Sequence, residues 1–344
     1  MKTATMIGMD LAKNIFQLYG VDHQGKPCLS RAMHRSSVIK FFANLPASTI
    51  GMEACAGSAY WARTIQSLGH EVKRIHPRYV TPYRIGNKND RNDAAAICEA
   101  MQRPNMKSVP LKTQEQDDIQ AVHRVRQGLV RARTACLNQI RGMLAESGIV
   151  FKQGACHVRA HVPIILDDEE NGLSSVLRQL LRSQLEYLDN LDTQILKLNI
   201  VIKNFVTAHR DCENLMNIPG VGIMTASILF SAIGVRGQFK NGREFAAFLG
   251  LVPRQHSSGG KPRYLGISKR GDAYTRTLLI HCARAALRSH ARGGALFGTG
   301  HLRQWIGDLV ERRGVNKACV ALANKIARIA WSMLTSKTEF QLAA

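Results

Sequence analysis

Two stretches of this 344-residue chain, residues 113–144 and 174–209, repeat apolar side chains, mostly leucine, at helical spacing. Each is far longer than the roughly 10–14 residues of an ordinary globular helix, so neither fits inside a single compact core. A polar break, D-D-E-E-N-G at residues 167–172, separates them and lets the chain reverse. The pattern predicts an antiparallel helical pair, a coiled coil, serving as a spacer or an oligomerisation arm. Such an arm divides the sequence into regions 1–110, 111–214 and 215–344. With 45% of its residues apolar, the chain can bury ordinary cores in both flanking regions.

The first region has a different rhythm. Strand-length apolar runs within residues 5–21 and 28–34 give way to a helix at 37–44, a strand at 48–53, a helix at 58–68 and a strand at 71–75. Strands that meander and then alternate with helices predict an α/β layer of RNase H-like order. Residues 90–101, D-R-N-D-A-A-A-I-C-E-A-M, predict a further helix with acids in its opening turn, where the helix dipole favours them. The last region predicts a mostly helical domain. Near its start, I-P-G-V-G breaks two helices at Pro219, Gly220 and Gly222, as in a helix-hairpin-helix nucleic-acid motif whose backbone amides meet a phosphate. A turn that only packs two helices would read the same.

Lysine and arginine outnumber aspartate and glutamate by 47 to 25, a formal charge of +22. The excess is uneven: 15 basic against 7 acidic residues in the first region, 13 against 13 in the arm, 19 against 5 in the last. A polyanionic partner follows, nucleic acid before any other. An unbroken apolar run of about 18 residues and a signal-peptide core are both missing, which predicts a cytoplasmic protein with no membrane partner. The eight cysteines are scattered without a C-x-x-C pair or a Cys/His zinc spacing, so reduced thiols are expected. No Walker A sequence is present to support ATP-driven chemistry.

Phosphoryl transfer on a nucleic acid is served by two divalent cations about 4 Å apart, held by convergent carboxylates. Asp10 and Glu53 each end an expected strand, and neighbouring strands would send both carboxylates from one sheet edge. Asp90 and Asp93, three apart on a helix, share a face. Plainer readings exist for each: Asp10 in a turn, Glu53 on the surface, Asp90 as an N-cap with Asp93 in the first turn. What favours a joint site is that four of only seven acids in the region fall where the expected fold brings them together. Ser257 and Ser258 lie in a Gly-, Lys- and Arg-rich loop, H-S-S-G-G-K-P-R. Such a loop suits holding a phosphate, with a serine either attacking or merely donating a hydrogen bond.

Taken in order, these motifs resemble the insertion-sequence-110 family of transposases, the DEDD transposases. The likeness runs through I-G-M-D at Asp10, G-M-E-A at Glu53, N-D-R-N-D-A with Asp90 and Asp93, the helical middle, I-P-G-V-G, and the block from G-L-V-P through S-S-G-G-K to I-S-K-R-G-D. It covers essentially the whole chain and looks more like the insertion-sequence-1111 branch. The resemblance implies a RuvC-like first domain whose Asp10, Glu53, Asp90 and Asp93 bind Mg²⁺. It also implies a C-terminal transposase domain whose Ser258, the serine directly before Gly259, attacks DNA to form a covalent phosphoserine link, with Ser257 the alternative. Beside that serine, Arg254, Lys261, Arg263, Lys269 and Arg270 are expected to neutralise developing charge. Family members are guided by a noncoding bridge RNA that pairs with donor and target DNA, and the same guidance is implied here. The long arm predicts a homo-oligomer with composite sites, a dimer that pairs into a tetramer on DNA. Two rivals stand beside this reading: a Holliday-junction resolvase-like nuclease using the same acids to activate water, and a non-catalytic nucleic-acid-binding protein.

Overall fold

The computed structural model describes residues 4–234, 238–293 and 301–340. The chain divides into two compact units, one built essentially from Met1–Thr113 and the other from Gln114–Ile233 and Phe239–Ala344. In the first unit, β1 (Met6–Asp10), β2 (Ile15–Val21) and β3 (Pro27–His34) form an antiparallel meander. A short 3-10 turn (Arg35–Ser37) and α1 (Val38–Ala43) lead into β4 (Thr49–Glu53), α2 (Ser58–Ser67) and β5 (Glu71–Ile75). Strand β4 pairs parallel with β1 on one side and β5 on the other, giving the order β3-β2-β1-β4-β5. After α3 (Pro77–Val80) and a second 3-10 turn (Thr81–Tyr83) comes α4 (Asp90–Met101). This is the RNase H-like topology that the order of strands and helices predicted.

Period-2 alternation decides what each face of the sheet carries. Ile7, Met9, Ile50 and Met52 are buried with Phe42, Trp61 and Ile65 on the side of α1 and α2. The intervening residues face α4, and there both strands carry glycine. A Cβ on Gly8 would stand 2.1 Å from the Ala94 carbonyl oxygen, and one on Gly51 would stand 2.6 Å from the Met101 sulfur. Helix α4 therefore lies directly on bare backbone, burying Ile97, Cys98, Ala100 and Met101 with Val21, Ile75 and Val80.

The second unit begins with α5 (Gln114–Glu146), α6 (Ala155–Asp167) and α7 (Ser175–Ala208). Arg126 Nε donates to Asn199 Oδ1 at 2.6 Å, Arg133 Nη1 to Asp192 Oδ1 at 3.0 Å, and the Cys136 thiol to Gln184 Oε1 at 3.4 Å. Residue numbers rise along one helix as they fall along the other, so α5 and α7 are antiparallel. Their leucine-rich faces bury Ile140, Leu144, Leu181 and Leu188 together with Val158 and Val162 of α6. Helix α6 was not foreseen. It carries Pro163 in its interior, and the D-D-E-E-N-G break begins at the last residue of α6 and leads to α7 rather than directly joining two long helices.

Next come α8 (Arg210–Leu215), α9 (Ile223–Ile233), α10 (Gly242–Phe248), β6 (Pro253–Ser258), β7 (Lys261–Ile267), α11 (Ala273–Ala291), α12 (His301–Arg313) and α13 (Val315–Ser336). Leu215, Leu229, Phe245, Leu279, Leu322 and Ile326 form the centre of their core. His123 of α5 ties three of the helices together and is only 1% exposed. Ser227 gives its own proton to the Ile223 carbonyl at 2.7 Å, so His123 Nε2 donates to Ser227 Oγ at 2.9 Å and Nδ1 accepts from the Tyr274 hydroxyl at 3.0 Å. Burial, with Arg126 nearby, pushes the His123 pKa down to about 4. No helix among the described residues is long and apolar enough to cross a membrane.

Candidate functional site

Strands β1 and β4 carry nearly the same five residues, M-I-G-M-D and T-I-G-M-E. Their parallel register runs to Met9 opposite Met52, which leaves Asp10 and Glu53 as the next residue on each, side by side at the carboxyl edge of the sheet. By alternation both acids share the glycine face, the face covered by α4. Asn89, not Asp90, caps that helix: its Oδ1 accepts from Asn92 N at 2.8 Å. Asp90 and Asp93 are thus left in the first turn with their carboxylates unused by the cap. The bare backbone at Gly8 and Gly51 seats α4 low enough to bring that turn to the strand ends.

The electrostatics record the meeting. Burial raises the Asp10 pKa, and the negative charges of Asp93, Asp90 and Glu53 raise it further, to about 6. Glu53 is also raised, first by burial and then by Asp93, against the opposing pull of Lys88, Arg84 and His76. Arg84 was not singled out from the sequence. Its guanidinium lies 3.0 Å from Asp93 Oδ1 and turns that carboxylate toward itself. Among the described residues no three His, Cys, Asp or Glu side chains are already gathered as a metal site. The four acids nonetheless supply only hard oxygen donors, the kind that Mg²⁺ prefers.

The serines, expected in a glycine-rich loop, lie instead on a β-hairpin. Gly259 and Gly260, with φ of 55° and 74°, make the two-residue turn between β6 and β7. Ser258 pairs with Lys261 and His256 with Arg263, while Ser257 pairs with Pro262 and Gln255 with Tyr264. Directly opposed residues share a face of the ladder, and alternate residues repeat it. Ser258 therefore stands with His256, Lys261 and Arg263 on a cationic face. Ser257 stands on the other face with Pro262 and Tyr264, its Oγ accepting from Gln255 Nε2 at 2.8 Å. All of β6 is exposed. The base is held by Ser268 N to Val252 O at 2.8 Å and by Arg276 Nη1, which donates to Leu249 O and Arg270 O at 3.0 Å each.

Comparison with known proteins bears on both sites. A DEDD transposase model of the IS110 type matches residues 7–149, which include all four acids, and the transposase IS116/IS110/IS902 family model matches residues 212–297, which include the hairpin. The chain is 43% identical to the transposase for insertion sequence element IS1111A of Coxiella burnetii, over all of this chain and 93% of that one. It is 44% identical to a probable family 20 transposase of Pseudomonas aeruginosa, over 96% of this chain and 97% of the relative. A transposase for insertion sequence element IS1328 of Yersinia enterocolitica is 39% identical over 99% of both chains. The chain belongs to the IS110/IS1111 family of DEDD transposases. It is an enzyme that acts on DNA.

The two glycines of I-P-G-V-G occupy different settings in this transposase. Gly220 has φ of +83°, and a Cβ there would stand 2.6 Å from the Cys282 carbonyl oxygen, so its bare backbone packs against α11. Gly222 has open space around it and accepts from the Thr225 and Ala226 amides at the start of α9. Of the five cations named from the sequence, Lys261 and Arg263 belong to the Ser258 face. Arg254 falls at the register shift between Pro253 and Gln255. Lys269 and Arg270 belong to the hairpin base, where Lys269 N donates to Gly250 O at 3.1 Å.

Proposed function

We propose that this transposase cuts and rejoins donor and target DNA through attack of Ser258 on a phosphodiester, guided by a noncoding bridge RNA. The observation that carries the phosphoryl-transfer reading is the edge where Asp10 and Glu53 end neighbouring parallel strands and the first turn of α4 carries Asp90 and Asp93. Those four carboxylates would hold Mg²⁺, which when bound polarises the scissile phosphate and offsets charge on the attacking and leaving oxygens. In the step itself the Ser258 hydroxyl gives up its proton as its oxygen bonds to phosphorus, one bridging P–O bond of the DNA breaks, and the departing deoxyribose oxygen takes up a proton, so that none is gained or lost overall. The phosphoserine diester retains the energy of the bond that was cut, so a hydroxyl of another strand can reverse the attack and rejoin DNA without ATP. The register of the hairpin favours Ser258 over Ser257, because Lys261 and Arg263 are placed to meet the charge that develops on phosphate. Arg254, Lys269, Arg270 and the open Gly222 turn extend the nucleic-acid contacts, and Gly220 supports the turn.

The excess of 47 basic over 25 acidic residues supports simultaneous binding of RNA and two DNAs. The functional form is a homo-oligomer, a dimer pairing into a tetramer on DNA, with acids and serine contributed by different protomers. The chain works as a first domain of residues 1–110, an arm of 111–214 and a serine domain of 215–344, in the cytoplasm. The test is a suicide-substrate reaction with the protein, its element-derived RNA, Mg²⁺ and labelled donor and target DNA. A covalent protein–DNA adduct that is lost in Ser258→Ala and Asp10→Ala but kept in Ser257→Ala is the expected result. Mg²⁺-dependent cleavage with no adduct would transfer the assignment to a resolvase-like nuclease.

A further inference from the structure

Between the second 3-10 turn and α4, Ile85 projects with 88% of its surface exposed, more than any other large apolar side chain among the described residues. The segment that carries it is tied on both sides. Arg84 N donates to Thr81 O at 3.2 Å, and its guanidinium is fixed on Asp93 at 3.0 Å. Gly86 turns the chain with φ of +80°, Asn92 Nδ2 donates to Asn87 O at 2.8 Å, and Asn89 caps the helix. An isoleucine held outward by bonds on both flanks is presented rather than left over from a failed core.

Its surroundings define what it meets. Ile85 directly follows Arg84, whose guanidinium sits on Asp93 at 3.0 Å, so the segment that carries it adjoins the acidic edge. Across residues 76–92 the cations Arg78, Arg84, Lys88 and Arg91 face a single acid, Asp90. An exposed apolar side chain in a cation-rich segment matches a nucleic acid strand, whose phosphates take the cations and whose base faces take the apolar group.

We infer that Ile85 is a wedge that enters the base stack of the DNA strand lying along the acidic edge, unstacking one base step beside the phosphate to be cut. The inference rests on the phosphodiester reading above. Unstacking lets the backbone bend locally, and the bend lets a phosphate approach the carboxylates without the duplex colliding with α4. DNA is the occupant argued for; the guide RNA and a second copy of the chain are alternatives that the test separates.

The experiment uses the full chain with its guide RNA and a duplex bearing the element's own end, with 2-aminopurine placed at successive positions around the cleaved bond. In Asp10→Asn protein, expected to bind without cutting, fluorescence at one position should rise several-fold on binding. The rise should vanish in Asp10→Asn/Ile85→Ser and persist in Asp10→Asn/Ile85→Leu. In otherwise wild-type protein, Ile85→Ser should slow cleavage of the paired duplex by about tenfold, and a mismatch at the responding step should restore the rate. An unchanged fluorescence rise in the serine variant, or a slowed rate that a mismatch does not restore, overturns the wedge. So does an effect confined to guide-RNA affinity or to the mass of the oligomer. The fluorescence measurement does not need cutting. A wild type that fails to cut in Mg²⁺ yet unstacks through Ile85 overturns the chemistry alone, and one that cuts as fast after Ile85→Ser overturns the wedge alone.

Discussion

Asp10→Asn removes one of four mutually repelling charges while keeping the shape of the side chain. Burial and the neighbouring acids raise the Asp10 pKa from 3.8 to about 6. At about 1.36 kcal/mol per pKa unit, the ionised carboxylate costs the folded unit at most about 3 kcal/mol. Solvent screening at a partly exposed group reduces this to about 1–2 kcal/mol. A carboxyl whose pKa is raised on folding costs nothing below its unfolded value. The cost grows as pH climbs from about 4 to about 6 and is constant above. In chelator at pH 7.5, Asp10→Asn should therefore melt higher than wild type by roughly 4–8 °C, taking about 4 °C per kcal/mol for a unit of this size. The gap should close as the pH is brought down to about 3.5, and added Mg²⁺ should stabilise wild type more than the variant. Calorimetry across this pH range, with and without the ion, reads all three effects. A variant that melts below wild type at pH 7.5 in chelator, or a gap that ignores pH, would show that the four charges do not strain the fold and would refute the reasoning.

Gly8→Ala drives a methyl into the Ala94 carbonyl and should destabilise the first unit by about 3 kcal/mol or more, whereas Gly51→Ala, which meets the movable Met101 thioether, should cost about 1 kcal/mol; urea titrations of both variants would show the contrast. His123, held neutral by burial with a pKa near 4, contributes stability that is fully present above about 6.5 and lost as pH falls toward 4, by up to about 3 kcal/mol. His123→Gln should flatten that part of the pH–stability curve, and an unchanged slope would place the acid sensitivity elsewhere. Arg276→Ala strips a charged donor from the Leu249 and Arg270 carbonyls at the hairpin base. Limited proteolysis should then cut within residues 253–267 several times faster while the helical core stays resistant.

How far the sequence carried depends on whether a residue's role is local. The apolar alternation of β1 and β4 stops at Asp10 and Glu53, so the strand ends could be read directly, and the acids of D-R-N-D mark a helix start in any context. That β1 lies beside β4 is a matter of sheet order, and only the resulting register puts the two acids side by side. The hairpin at Ser258 escaped because its strands are exposed and carry no apolar alternation to betray them. The Gly-Gly pair between them was the available signal. Helix α6 escaped because the leucine pattern drew attention to the long helices and Pro163 argued against another. Arg84 has no signature of its own, and its pairing with Asp93 depends on the fold of the loop before α4. Gly8 and Gly51 did carry one, since isolated glycine within a strand marks a close approach.

Those two glycines make the gap between the strand acids and the helix acids adjustable from underneath. A group that lifts α4 by a few tenths of an ångström would separate the two carboxylate pairs without touching either. Mg²⁺ binds oxygen at about 2.0–2.1 Å and Ca²⁺ at about 2.3–2.6 Å, a difference of the same order. On the proposed metal reading, ion preference along this edge would be partly encoded in residues that never contact an ion, and a selection for altered metal tolerance would find variants beneath the helix as readily as among the carboxylates.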